Sequence, residues 1–230
     1  VGIELQDTGH GTGMTFAIAD DTLTGQGGNA INLANFGSGT WQGTIGSNVI
    51  GTSGTSGSGS SAGSGINISQ EGAGTITAYV DANDVHDIAS GWGINGQVGD
   101  GSGTLNLTLA SNTIDTDSPS SLDAISVDSG TTLGDTATVC LAADGDTATT
   151  EGTAAGNGLY DASGLSVIQQ ESAARFEIQG LSAGADAAAV QSYLAAHNTL
   201  QGPGGGAYAQ PSNGFTVPSS QCPLPPGGTP

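Results

Sequence analysis

The chain has 230 residues, 41 of them Gly, and sets a single basic residue, Arg175, against 21 acidic ones, for a formal net charge of −20. Binding nucleic acid requires a Lys/Arg footprint to neutralise phosphates, so that class is excluded, and anionic membrane surfaces are disfavoured on the same ground. No run approaches the ~18 apolar residues of a spanning helix, and aromatics at 4% leave a core to be built from Ile, Leu, Val and Ala.

Along the chain a small residue followed by Ile or Leu recurs, as GIEL (2–5), AINL (30–33), GINI (65–68), GING (93–96), AISV (124–127) and GLSV (164–167). Two of the longer intervals hold low-complexity stretches, GTSGTSGSGSSAGSG (51–65) and the segment around GDTATTEGTAAGNG (145–158), which read as loop insertions. Within each repeat a second segment alternates with period two, the pattern of a strand with one buried face. These segments are MTFAI (14–18), WQGTI (41–45), ITAYV (76–80), LNLTL (105–109), ATVCL (137–141) and ARFEI (174–178). Stacked, they give inward columns of Met14, Trp41, Ile76, Leu105 and Ala137; Phe16, Gly43, Ala78, Leu107 and Val139; Ile18, Ile45, Val80, Leu109 and Leu141.

Three residues beyond the last inward position stand Asn48, Asn83 and Asn112, with Asp21 and Asp144 at the same point of the first and fifth repeats. Short polar side chains tolerate a sharp corner and bond neighbouring backbone groups, and stacked amides can bond one another. An apolar residue then opens another short strand (Leu23, Ile50, Val85, Ile114). Strand, loop, strand, polar corner, strand is one coil of a solenoid, and the fixed period is its signature.

These residues resemble the right-handed parallel β-helix proteins with an asparagine ladder, over residues 2–181. The resemblance implies an all-β solenoid of about six coils. More loosely, the repeats followed by FEIQGLSAGADAAAVQSYLAAHN and a Gly/Pro tail resemble the β-helical surface proteins secreted by bacteria. That implies an extracellular setting. It says little of activity, because one such fold carries many functions.

After the repeats, Asp186 can cap a helix whose Ala187, Val190, Tyr193 and Leu194 share a face. The expected organisation is a β-helix over 1–184, a capping helix over 185–201 laid across the last rung, and an irregular tail over 202–230. The two cysteines, Cys140 (outward on its strand) and Cys222, are expected to pin that tail to the solenoid wall, as suits a secreted protein.

Acidic turns offer hard oxygen ligands for calcium at Asp115, Asp117, Asp144 and Asp146, against a plain reading as a solvated acidic surface. No other cofactor is implied. His10 in a Gly-His-Gly turn and the Asp20–Asp21 pair invite comparison with polygalacturonases. Their order is reversed relative to that family, and its Arg-x-Lys clamp is missing. The sequence therefore predicts a structural protein rather than an enzyme: a fibre or surface-layer subunit, or an adhesin stalk, self-associating head to tail. The alternatives are a polysaccharide-active lyase or hydrolase, or a carbohydrate-binding module.

Overall fold

The structure, a computed structural model, describes residues 1–99, 101–116, 118, 120–151, 162–211, 215 and 221–228. The first coil is β1 (Ile3–Asp7), β2 (Met14–Ala19) and β3 (Thr22–Leu23); the second is β4 (Ile31–Asn35), β5 (Thr40–Gly46) and β6 (Val49–Ile50). The third is β7 (Ile66–Gln70), β8 (Thr75–Asp81) and β9 (Asp84–His86); the fourth is β10 (Ile94–Val98), β11 (Thr104–Ala110) and β12 (Thr113–Thr116). The fifth comprises β13 (Ile125–Ser129), β14 (Thr138–Asp144) and β15 (Thr147–Thr150). The sixth runs β16 (Ser163–Gln169), β17 (Arg175–Ile178), helix α1 (Ala187–His197) and β18 (Thr199–Gln201), and β19 (Gly205–Gln210) begins a seventh turn.

Each strand pairs in parallel with its counterparts one coil before and after, which makes three sheets, β1-β4-β7-β10-β13-β16-β19, β2-β5-β8-β11-β14-β17 and β3-β6-β9-β12-β15-β18. The chain is thus a three-sided parallel β-helix. Its repeat starts stack as the sequence places them, Ile3, Ile31, Ile66, Ile94, Ile125 and Leu165 in one column.

The core fills because large and small residues compensate between neighbours. Gly43 sits against Phe16 in the second sheet, where an added Cβ would collide with the Phe16 carbonyl oxygen. In the first sheet Gly96 makes room for Leu107, whose Cδ2 would lie 2.8 Å from an added Cβ.

Two expectations are corrected. In the fifth coil the register is two residues later than the alternation suggested: Val139, Leu141 and Ala143, not Ala137, Val139 and Leu141, pair with Leu105, Leu107 and Leu109. Both readings obey period two, so alternation alone cannot separate them; the following corner does.

Helix α1 is also not a terminal cap beyond the solenoid. It replaces the corner between the second and third strands of coil six, and β18 and β19 then return to their sheets. The solenoid therefore extends past the boundary expected at residue 184, into the segment assigned to an irregular tail. Asp186 does cap the helix, accepting from the Ala189 N–H at 2.8 Å, and Val190 and Leu194 are buried. Near them Phe215 is fully buried edge-on to Phe176, with ring centroids 5.4 Å apart. Together these residues close the C-terminal end of the core.

Candidate functional site

Three constellations lie on this frame. The first is the corner ladder. Asp21 donates its N–H to Asn48 Oδ1 at 3.1 Å, Asn48 Nδ2 donates to Asn83 Oδ1 at 2.8 Å, and Asn83 Nδ2 donates to Asn112 Oδ1 at 2.9 Å. Asn112 Nδ2 continues to Asp146 Oδ1 at 2.9 Å, and the Asp146 N–H donates to Asn198 Oδ1 at 2.9 Å.

The fifth rung is thus Asp146, a residue expected as a calcium ligand, and Asp144, expected in the ladder, is exposed at the end of β14. Asn198 was missed altogether. Its Asn-Thr-Leu repeats the Asn-Thr-Ile at Asn112, but the preceding helix hid the equivalence. The left-handed residue of each corner is the one before the ladder side chain: Asp20, Ser47, Ala82, Ser111 and Gly145, with φ of 60, 56, 53, 56 and 75°. The ladder side chain's task is to satisfy the backbone groups that this turn frees.

The calcium ligands expected at the acidic turns do not converge. Asp115 lies along β12 opposite Thr149 of the next coil, Asp144 ends a strand of another sheet, Asp146 is bound into the ladder, and Asp117 lies outside the described residues. Among the described residues no three or more His, Cys, Asp or Glu side chains gather as a metal site. His10 is exposed on a loop ordered by Asp7, whose carboxylate accepts from the backbone N–H of Gly9, His10 and Thr12. Those bonds, the His10 one foremost, hold the Asp7 carboxyl below its usual range. Asp20 and Asp21 stand at a different corner, beyond β2.

The second constellation is a groove of about 290 Å³ on the outer face of the second sheet. Cys140 and Cys222 are bonded, with their Cα atoms 5.7 Å apart, and the Cys222 N–H donates to Gln179 Oε1 at 2.8 Å. The pinned segment makes one wall with Gln221 and Leu224; the small Thr108, Ala110 and Ala142 make the floor. Tyr79 and Asp81 rise on one side of that floor, Asp144 and Gln179 on the other. Burial, and then the charge of Asp81, push the Tyr79 phenol above its usual range, so it stands as a neutral donor.

The third is a second amide ladder, on the outer face of the first sheet. Asn32 Nδ2 donates to Glu4 Oε1 at 3.3 Å, Asn67 Nδ2 to Asn32 Oδ1 at 2.9 Å, and Asn95 Nδ2 to Asn67 Oδ1 at 2.8 Å. Its signal was the Ile-Asn pair shared by three of the repeat starts. Beyond Asn95 the row continues as Ser126 and Ser166, and the row beside it as Gln97, Asp128 and Ile168. Asp128 is 2% exposed; burial, and then the charge of Asp123, raise its carboxyl to about 7, while the Ser126 hydroxyl pulls the other way.

Comparison with protein-family models, with curated proteins and with solved structures finds no match.

Proposed function

We propose that the protein is an extracellular structural β-solenoid that works by lengthwise association, as a subunit of a fibre or surface assembly or as part of an adhesin stalk. The observation that supports this reading is the repeat itself: each of the three sheets gains one strand per coil in continuous parallel pairing, so coils of successive subunits can join by the same backbone pairing. Such a head-to-tail contact does not close into a ring and so propagates. The disulfide fits an oxidising compartment.

A second copy joined end to end must overcome the repulsion of like-charged subunits, so added salt should promote association. Sedimentation velocity of the intact chain across a salt series, with electron microscopy of the heaviest fractions, tests the reading. Elongated oligomers that grow with salt are expected. A monomer at every salt and protein concentration would overturn association between copies.

The groove favours a second reading, a carbohydrate-binding module. Its phenol, carboxylates and amides converge over an apolar floor, the composition of a small-molecule site. Binding of neutral oligosaccharides, lost in Tyr79→Ala, would support it; no binding at millimolar concentration would remove it.

A further inference from the structure

Two rows of outward side chains make up the groove on the second sheet. Tyr79, Thr108 and Ala142 stand side by side on three adjacent coils, and Asp81, Ala110 and Asp144 form the next row on the same face. Neighbouring strands lie about 4.8 Å apart, so the strand ends carrying Asp81 and Asp144 are about 9.6 Å apart, with the Ala110 methyl group between them. The floor holds a polar atom that the protein leaves unanswered. Thr108 lines the groove and is 7% exposed, and its Oγ1 is buried with no hydrogen-bond partner among the described residues. Buried hydroxyls are nearly always bonded, so a cavity that ends on one lacks a partner there.

The remaining groups define what that partner is. No Lys, Arg or His is among the described residues that line the groove. Arg175 is the chain's one Lys or Arg, and it is engaged with Glu177 at 2.7 Å. The two carboxylates therefore have no protein cation, and the net charge of −20 draws positive ligands and repels anionic ones. A single metal ion does not fit, because Asp81 and Asp144 stand two coils apart and no third ligand joins them among the described residues. A simple polyamine fits only in part. Its ammonium groups donate and cannot accept, whereas Thr108 has a hydroxyl proton to give. Gln179 also has a donor to give, because it spends Oε1 on the Cys222 N–H at 2.8 Å and keeps its amide nitrogen. A ligand that carries ammonium groups and hydroxyls together answers all of these. The methyl groups of Ala110 and Ala142 and the ring of Tyr79 offer its C–H face an apolar bed, and the volume of about 290 Å³ is that of a small-ligand site.

We propose that the groove binds amino sugars, with Asp81 and Asp144 holding ammonium groups, Thr108 and Gln179 bonding hydroxyls, and Tyr79 packing against a sugar ring. The assignment rests on the carbohydrate-binding reading of the groove and names the sugar class within it.

The test is calorimetric titration of the intact, disulfide-bonded chain with the trimers of glucosamine and of N-acetylglucosamine, in mildly acidic buffer that keeps the amines charged. The glucosamine trimer should bind about tenfold more tightly, because charge-assisted hydrogen bonds replace neutral ones, and its advantage should shrink as salt is added. Asp144→Asn should remove most of that advantage. Glu151→Gln, an equal loss of charge at an exposed residue outside the groove, should not. Thr108→Val keeps the shape of the floor and deletes the unanswered hydroxyl. It should weaken both trimers while the free chain melts at the same temperature or higher, a combination that a merely structural role would not give. Equal affinity for the two trimers would overturn the amino-sugar assignment and leave the carbohydrate reading standing; binding of neither would remove both. Spermidine held as tightly as the glucosamine trimer, or equal weakening by Asp144→Asn and Glu151→Gln, would show that charge alone draws the ligand and would also overturn the assignment.

Discussion

Replacing Asp146 by Asn should stabilise the protein, against the usual direction for a buried polar residue. At every Asn rung of the corner ladder Nδ2 also donates to a strand carbonyl of the coil before: Asn48 to Ile18, Asn83 to Ile45, Asn112 to Val80 and Asn198 to Ala143. Register makes Leu109 the equivalent of Ile18, Ile45, Val80 and Ala143. At the fifth rung the Leu109 carbonyl therefore faces Asp146 Oδ2, which is buried with no partner among the described residues. Two acceptors confront each other where the other rungs have a bond.

Burial raises the Asp146 carboxyl from 3.8 to about 6, against the lowering effect of its bonds from Asn112, with a further rise from Asp144 and Asp81. The folded state thus holds a proton that the unfolded state has released between those values. Stability is fully present below about pH 4 and is lost as pH rises to about 6. At 1.36 kcal/mol per unit the loss is about 3 kcal/mol. An Asn keeps the donor at every pH. At pH 8 the variant should be more stable by about 3 kcal/mol, or roughly 6–12 °C in Tm for a chain of this size. At pH 4 the two should coincide. Urea unfolding followed by the fluorescence of buried Trp41 at both pH values measures this. A variant no more stable at pH 8, or a gain independent of pH, would refute the confronted-acceptor account.

Leu107→Asp, at a fully buried position in the middle of the second-sheet column, should destabilise by more than about 4 kcal/mol and abolish cooperative unfolding by circular dichroism. Gly43→Ala drives a methyl group against the backbone of Phe16; a loss of about 1–3 kcal/mol in chemical denaturation is expected, and an unchanged midpoint would show that the first coil yields freely. Cys222→Ser opens a loop with a sequence separation of 82, which by chain entropy lowers stability by up to about 4.5 kcal/mol. The same variant should free Cys140 to alkylation and make the chain near Gln221 sensitive to protease, as mass spectrometry would read.

The architecture was legible because both of its periods are written in single residues. The starting Ile or Leu of each repeat and the alternation around Phe16, Ile45 and Leu107 lie in columns that admit few alternatives. The errors fall where that coding is degenerate. Ala137, Val139, Leu141 and Ala143 all suit an inward site, and only the Asn-equivalent corner separates the two registers. With both Asp144 and Asp146 at hand, the sequence cannot tell which is buried. The helix in coil six broke the period and concealed Asn198, although the local Asn-Thr-Leu survives. The outer cluster around Asp128 was illegible for another reason. An outward position on a strand reads as solvent-facing, and its burial belongs to the tertiary structure alone.

The two ladders differ in the cost of an interruption. Inside the corner, each rung satisfies backbone groups freed by a left-handed turn, so an Asp is tolerated only with a displaced proton equilibrium, as at Asp146. On the outer face, the amides of Asn32, Asn67 and Asn95 bond mainly to one another and the sheet does not depend on them. Ending that row at Ser126 and Ser166 leaves the strand pairing intact, because the backbone ladder there is complete.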